Sequence, residues 1–170
     1  MSRTDLAWLA VAAYALHIME ERILDWLGSA RKSLHIKLEQ ENYRVVEAVF
    51  LILGAVAAIL SVTMPLIALS FAAFLLINAI FFHIWPMART GGQYSPGVIT
   101  AVFLFLPVGI AQYRLIATQP SDYVLSVIIG GAIILSPLVL MKMREHPSFG
   151  GGGVSGSGGA GAAPKRGRRK

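Results

Sequence analysis

A histidine and two glutamates lie close together inside the first apolar stretch of the chain, and these residue types can bind a metal or carry protons. Glu20 and Glu21 follow His17 by three and four positions, so in a helix both carboxylates flank the imidazole on one face. An ionisable group in hydrocarbon costs at least about 2.5–3.5 kcal/mol on insertion scales, and such groups mostly face an interior site. The spacing therefore predicts a buried functional cluster.

Polar residues in the later apolar segments are predicted to lie in the same half of the membrane. They are Glu47, Asn78 and His83, and Tyr94 begins the following segment on the same side. This depth follows from counting 1.5 Å per residue from the predicted cytoplasmic helix ends. Asn78 and His83 are separated by about 140° in an ideal helix. Either the helix is distorted before Pro86, or only one of these two side chains points at the centre.

The residue types in this cluster suit a divalent metal. Imidazole and carboxylate ligands bind Zn, Fe or Mn, and ligands on facing helices can build a metal site inside a bundle. The candidate metal ligands are His17, Glu20, Glu21, Glu47, Asn78 and His83. The candidate catalytic groups are Glu20, Glu21 and Tyr94, of which Tyr94 could supply a proton or a hydrogen bond. The chain contains no cysteine, so thiolate chemistry is excluded.

The composition is that of an integral membrane protein. The 170 residues are 55% hydrophobic and 14% charged, and a soluble protein of this size could not hide so many long apolar runs in one core. We predict an all-α fold, an integral membrane bundle of five transmembrane helices within residues 1–146. The predicted helices run approximately over residues 6–27, 43–62, 66–85, 94–117 and 122–143.

Prolines mark several of the predicted helix boundaries. Pro65 should break the long apolar stretch after the second helix, and Pro86 should end the third. Pro96 suits the first turn of the fourth helix, where its missing N–H costs nothing. Pro107 and Pro137 lie inside the fourth and fifth helices and are expected to kink them.

The basic residues predict the orientation in the membrane. With five spans, about twelve Lys and Arg residues lie on one side and two on the other, which puts the N-terminus outside and the C-terminus in the cytoplasm. We therefore expect a multi-pass protein of the plasma (inner) membrane. Residues 147–170 are Gly-rich and basic, which predicts a disordered tail that can contact anionic lipid. Nucleic-acid binding is not expected, since no recognition motif accompanies the charge.

Three functions are compatible with this cluster. The first is a metal-dependent membrane enzyme that hydrolyses or oxidises a lipid or other apolar substrate near the cytoplasmic leaflet. The second is a proton-coupled small transporter with the glutamate pair as its titrating centre, although the confinement of the polar residues to one leaflet disfavours it. The third is a non-catalytic partner subunit, in a homo- or hetero-oligomer, that uses the buried charges for assembly.

Three sequence blocks together resemble the bacterial HXXEE family of small integral membrane proteins. They are His17-Ile18-Met19-Glu20-Glu21, the run Asn78–His83, and Tyr94-Ser95-Pro96-Gly97. They occur in this order, and the resemblance covers the chain from about Asp5 to Arg144. It implies a membrane location but no particular reaction, because the function of the family is uncharacterised. The residues that it selects are His17, Glu20, Glu21, Asn78, His83, Tyr94, Pro96 and Gly97.

Overall fold

The computed structural model describes residues 1–33, 39–117 and 119–145, and every regular element in these ranges is a helix. The predicted all-α fold is therefore confirmed. The predicted disordered tail, residues 147–170, and the predicted domain boundary at residue 146 lie outside the described residues. The six helices of the described ranges are α1 Arg3–Ile23, α2 Trp26–Ser33, α3 Gln40–Ile59, α4 Pro65–Arg89, α5 Val98–Ile116 and α6 Pro120–Glu145.

Four of these helices, α3 to α6, are long and apolar enough to cross a membrane, which indicates a multi-pass membrane protein. The prediction of five such helices is corrected, because α1 is not among them. Charged residues lie towards both ends of α1, at Asp5 and Glu20. The uncharged residues 6–19 between them extend about 21 Å, which is less than the hydrocarbon thickness of about 30 Å.

Helix α1 packs with one face against α3 and α5, and its opposite face is exposed. Its buried side chains recur at intervals of three and four residues, so one face of the helix is directed inward. Alanines at positions 10 and 13 on this face let the neighbouring helices approach closely. The same face carries the polar residues of the cluster into the interior. Its buried members include Leu6, Ala10, Ala13, Tyr14, His17 and Glu21.

The first helix ends earlier than the sequence predicts, and a short second helix follows it. Helix α1 ends at Ile23, and Asp25 then adopts a left-handed conformation with φ 51°. The Asp25 carboxylate accepts a hydrogen bond from the backbone N–H of Gly28 at 3.2 Å, within the first turn of α2. Helix α2 packs against α1 and places Trp26 in a stacked contact with Tyr43, with ring centroids 5.4 Å apart.

Proline ends some elements as predicted and is accommodated in others. The turn before Pro65 separates α3 from α4, as predicted. In contrast, α4 continues past Pro86 to Arg89, so the predicted end at Pro86 is wrong. Helix α5 begins at Val98, after Pro96, so Pro96 lies in the preceding turn and not in the first helical turn.

Helices α4 and α5 each contain a π-helical segment, Ala79–Ile84 and Ala101–Phe105. In each helix a proline follows two residues after the segment, at Pro86 and Pro107. The wider π turn relieves the clash between a proline ring and the preceding turn, which would break an ideal helix. A distorted helix before Pro86, one of the two predicted alternatives, therefore occurs.

Helix α4 is the central helix and contacts each of α1, α3, α5 and α6. Its side chains Phe74 and Leu75 are fully buried. Helix α6 approaches it closely at Gly130, where a Cβ atom would lie 2.6 Å from the carbonyl oxygen of Ser70. This central position brings the π-helical segment of α4 next to the polar face of α1.

Candidate metal centre

His17, Glu21 and His83 meet in the interior of the bundle. Nε2 of His17 and Nε2 of His83 each lie 3.3 Å from Oε1 of Glu21. Both imidazoles are fully buried, and Glu21 is only 7% exposed. One ligand atom from each residue lies within 4.8 Å of the other two. This arrangement of α1 and the π-helical segment of α4 could hold a metal ion.

The imidazole nitrogens that face Glu21 lack hydrogen-bond partners among the described residues. Neither Nε2 forms an aligned hydrogen bond, although each lies at ion-pair distance from Oε1 of Glu21, and Nδ1 of His83 also has no hydrogen-bond partner in the described part of the chain. Buried polar atoms are nearly always paired, and an unpaired one costs about 1–3 kcal/mol. Ligands held tetrahedrally at about 2.0–2.1 Å from Zn lie about 3.3–3.4 Å from one another. The two nitrogen–oxygen distances match that spacing, and all three ligand atoms lie within 4.8 Å of one another, so the donor set could hold a shared cation.

A chain of hydrogen bonds sets the orientation and tautomer of His17. Its Nδ1 lies 2.7 Å from Oγ1 of Thr100, and the Thr100 hydroxyl donates to Oε2 of Glu20 at 2.6 Å. The hydroxyl has one hydrogen to donate, so we assign the proton of the neutral imidazole to Nδ1. In the neutral ring, Nε2 then carries the lone pair and faces Oε1 of Glu21. A metal-binding histidine is usually oriented in this way, by a hydrogen bond from its other ring nitrogen.

Glu20 binds the beginning of α5 instead of the two histidines. Its carboxylate accepts hydrogen bonds from the backbone N–H groups of Gly97, Ile99 and Thr100, at 3.1, 3.2 and 2.8 Å. The first N–H groups of a helix have no partner within the helix, and the helix dipole favours a negative charge there. The structure thus separates the two adjacent glutamates: Glu21 joins the histidines, and Glu20 holds α5 against α1.

Tyr94 lies in the connection between α4 and α5 and is half exposed. Its hydroxyl donates to Oε1 of Glu20 at 2.9 Å. Partial burial, together with this hydrogen bond, raises the pKa of Tyr94 to about 12, so the hydroxyl is a donor at neutral pH. Within the described residues, hydrogen bonds connect Tyr94 to the cluster through Glu20 and Thr100.

Glu47 is not a member of the group of three, and Glu47 and Asn78 line a cavity together with Glu21. Oε2 of Glu47 accepts hydrogen bonds from Nε and Nη2 of Arg22, at 3.0 and 2.6 Å. Its Oε1 and the Oδ1 of Asn78 are buried without a donor. Of the six predicted ligands, the structure brings together His17, Glu21 and His83.

The motif residues also define a family. A family model described as a protein of unknown function with HXXEE motif matches residues 8–112, which is more than half of the chain. The chain belongs to the HXXEE family. The motif itself corresponds to His17, Glu20 and Glu21, and the match extends over every residue of the site described above. Neither a curated protein nor a solved structure matches the chain.

Two residues that contact the motif residues were not predicted from the sequence. They are Tyr43 and Thr100. The buried Tyr43 hydroxyl donates to Oε2 of Glu21 at 2.6 Å, which leaves Oε1 facing the histidines. Thr100 connects Glu20 with His17, as described above. Each is one helical turn from a residue that the sequence did select, because Tyr43 precedes Glu47 by four positions and Thr100 follows Gly97 by three. This spacing of one helical turn from a selected residue is the sequence feature that could have identified both residues.

Gly97 packs closely against the rings of His17 and His83. Its φ is 89°, in the left-handed region. A Cβ atom at this position would lie 2.6 Å from Cε1 of His83 and 2.8 Å from Cε1 of His17. Both the backbone conformation and the close approach to the two rings therefore require glycine.

Proposed function

We propose that this member of the HXXEE family is a membrane-embedded metal-binding protein that uses His17, Glu21 and His83 as ligands for Zn, Fe or Mn. The observation that carries the proposal is the convergence of two unpartnered imidazole nitrogens on one buried carboxylate oxygen. Where a neutral imidazole faces a carboxylate oxygen with its nitrogen lone pair, the two repel each other. A divalent cation between them makes both interactions favourable.

The same donor set supports a catalytic role. Three protein ligands leave a coordination position for water or substrate, as in catalytic and not structural zinc sites. Two histidines and one carboxylate are also the ligand set of non-haem iron oxygenases. We therefore propose metal-assisted hydrolysis or oxidation of a lipid or other apolar molecule. Tyr43 and Thr100 act as positioning residues, because each is hydrogen-bonded to a proposed ligand.

Metal analysis of the purified protein tests this proposal. We expect about one metal ion per chain in the wild type, and at least about a tenfold loss in His17→Ala and His83→Ala, because even residues behind the ligands contribute about 10–100-fold to metal affinity. Glu41→Gln, an exposed carboxylate in the first turn of α3, is the control and should retain the metal. Wild-type protein without metal after loading with Zn, Fe and Mn would contradict the proposal.

A proton-coupled transporter is the second candidate, and one observation favours it. Hydrogen bonds run from the half-exposed Tyr94 through Glu20 and Thr100 to the buried His17. Such a chain can conduct protons towards an imidazole. Proton flux into liposomes, followed with a pH-sensitive dye, distinguishes the two candidates. Flux that is lost in Glu20→Gln would support the transporter, and its absence in the wild type would exclude it.

Although α1 is not among the four helices that are apolar enough to cross by length and composition, we further propose that it crosses the plasma membrane together with them, with the N-terminus outside and the C-terminus in the cytoplasm. The charged groups near the end of α1 have partners on other helices: Glu20 at the start of α5, Glu21 at Tyr43, and Arg22 at Glu47. Crossing therefore leaves these charges paired, with Arg22 half exposed close to the end of the helix. The basic tail would then meet anionic lipid of the cytoplasmic leaflet.

Cysteine labelling in intact cells tests this orientation, since the chain has no cysteine of its own. We expect a membrane-impermeant maleimide to label Ser2→Cys from outside and Ala88→Cys only after lysis. Ser2 lies before α1, and Ala88 is exposed near the end of α4. If α1 does not cross, the two positions lie on the same side and become labelled under the same condition.

A further inference from the structure

An apolar cavity of about 80 Å³ lies beside the proposed metal ligands. Its wall includes Val46 and Phe50 of α3, Ile134 and Leu138 of α6, and the side chain of Glu21. Helices α3 and α6 both pack on α4, which contributes the wall between them. The cavity therefore connects the space between two membrane-facing helices with one of the proposed ligands.

Two buried acceptors in the cavity wall lack a donor among the described residues. They are Oε1 of Glu47 and Oδ1 of Asn78. Glu47 is only 2% exposed, and its other oxygen already binds Arg22. An unpaired buried acceptor costs about 1–3 kcal/mol. A bound molecule that carries a hydrogen-bond donor would remove this cost.

The surroundings of the cavity indicate where such a molecule would come from. The outer faces of α3 and α6 are apolar, with exposed side chains at Val45, Val49, Leu138 and Val139. In a bilayer these faces contact hydrocarbon, so the molecule would enter from the lipid phase. An apolar body would fill the cavity, and its polar end would bind the two acceptors.

We propose that this cavity binds one membrane-dissolved molecule that has an apolar chain and a hydroxyl or amine head. The head donates hydrogen bonds to Glu47 and Asn78, which places it next to Glu21. The identification of the bound molecule as the substrate rests on the proposed function. Its binding in the cavity does not depend on that function. The inference thus names the substrate class of the proposed metal centre as an apolar-chain alcohol or amine.

Fluorescence of Trp26, which also lines the cavity, provides the binding measurement. The background variant Trp8→Phe/Trp85→Phe leaves Trp26 as the only tryptophan of the chain. The protein is placed in lipid nanodiscs and titrated with a long-chain alcohol, the matching amine, or the matching methyl ether, each brominated near its head. We expect the alcohol or the amine to quench Trp26 saturably, at least about tenfold more tightly than the ether, because only the ether leaves both acceptors unpaired.

Variants at neighbouring positions locate the binding. Val46→Phe fills the cavity and should abolish saturable quenching, whereas Val45→Phe, at a position 62% exposed on the outer face of α3, should leave it unchanged. Asn78→Leu should weaken binding about tenfold, and Asn78→Asp, which keeps an acceptor, should weaken it less. Equal binding of alcohol and ether, or equal effects of Val46→Phe and Val45→Phe, would overturn the inference.

Metal analysis of the same samples keeps this inference apart from the proposed function. Saturable quenching in metal-free His17→Ala protein would uphold the cavity as a binding site even if no metal is ever found. Protein that contains metal but does not discriminate between alcohol and ether would overturn the cavity proposal and leave the metal centre intact.

Discussion

Gly97→Ala is expected to abolish metal binding, with at least about a tenfold loss of metal content. The added methyl group would lie 2.6 Å from Cε1 of His83 and 2.8 Å from Cε1 of His17. Both rings are fully buried and cannot retreat without displacing their neighbours. The left-handed backbone conformation adds about 1–2 kcal/mol of strain for any residue with a Cβ atom. Metal content and thermal unfolding in detergent measure the two effects.

Gly92→Ala is the matched control for this variant. Gly92 has nearly the same backbone conformation, with φ 91°, but a Cβ atom there would meet nothing within 4 Å. The control therefore carries the strain without the contact with the two rings. We expect Gly92→Ala to retain the metal. Equal loss of metal in both variants would show that Gly97 acts through backbone conformation alone.

Replacing each of the adjacent glutamates by glutamine is expected to affect a different property, metal binding for Glu21 and stability for Glu20. Glu21→Gln should lose the metal, because an amide is a much poorer ligand than a carboxylate between two imidazoles. Glu20→Gln should keep the metal but lower the free energy of unfolding by about 2 kcal/mol, since it loses charge-assisted hydrogen bonds at the start of α5. Metal content and thermal unfolding of both variants test this difference.

Glu41→Gln serves as the control here as well, since its carboxylate is exposed and should affect neither quantity. Loss of metal in Glu20→Gln with unchanged stability would make Glu20 a ligand and would contradict the separation of the two glutamates. Retention of metal in Glu21→Gln would remove Glu21 from the proposed ligand set.

The sequence predicted the residue types of the buried His/Glu group better than it predicted which glutamate belongs to the group. The interval of four residues places His17 and Glu21 on one helix face whatever surrounds that helix, and the structure keeps them 3.3 Å apart. Glu20 is on the same face at an interval of three, so local geometry could not distinguish it from Glu21. The backbone N–H groups at the start of α5 bind Glu20 and so distinguish it from Glu21. They belong to a segment almost eighty residues away.

Some helix boundaries follow from the local sequence, whereas others depend on the surrounding structure. Pro65 determines a chain reversal locally, because a proline cannot continue the helix that precedes it. Pro86 would have ended its helix by the same local rule. However, the π-helical segment Ala79–Ile84 widens the turn before it, and α4 continues to Arg89. His83 belongs to that segment, and its Nε2 lies 3.3 Å from Oε1 of Glu21.

By itself, the sequence determined that the chain is helical, that most of its helices suit a membrane, and that an imidazole and a carboxylate share a face of α1. These properties depend on residue type and on spacing within one helix. Only the tertiary structure decided that His83 completes the group, that Tyr43 and Thr100 orient it, and that Glu20 and Glu47 have other partners. The reason is physical: a buried polar group takes its role from the partner that satisfies it, and here each of those partners lies on another helix.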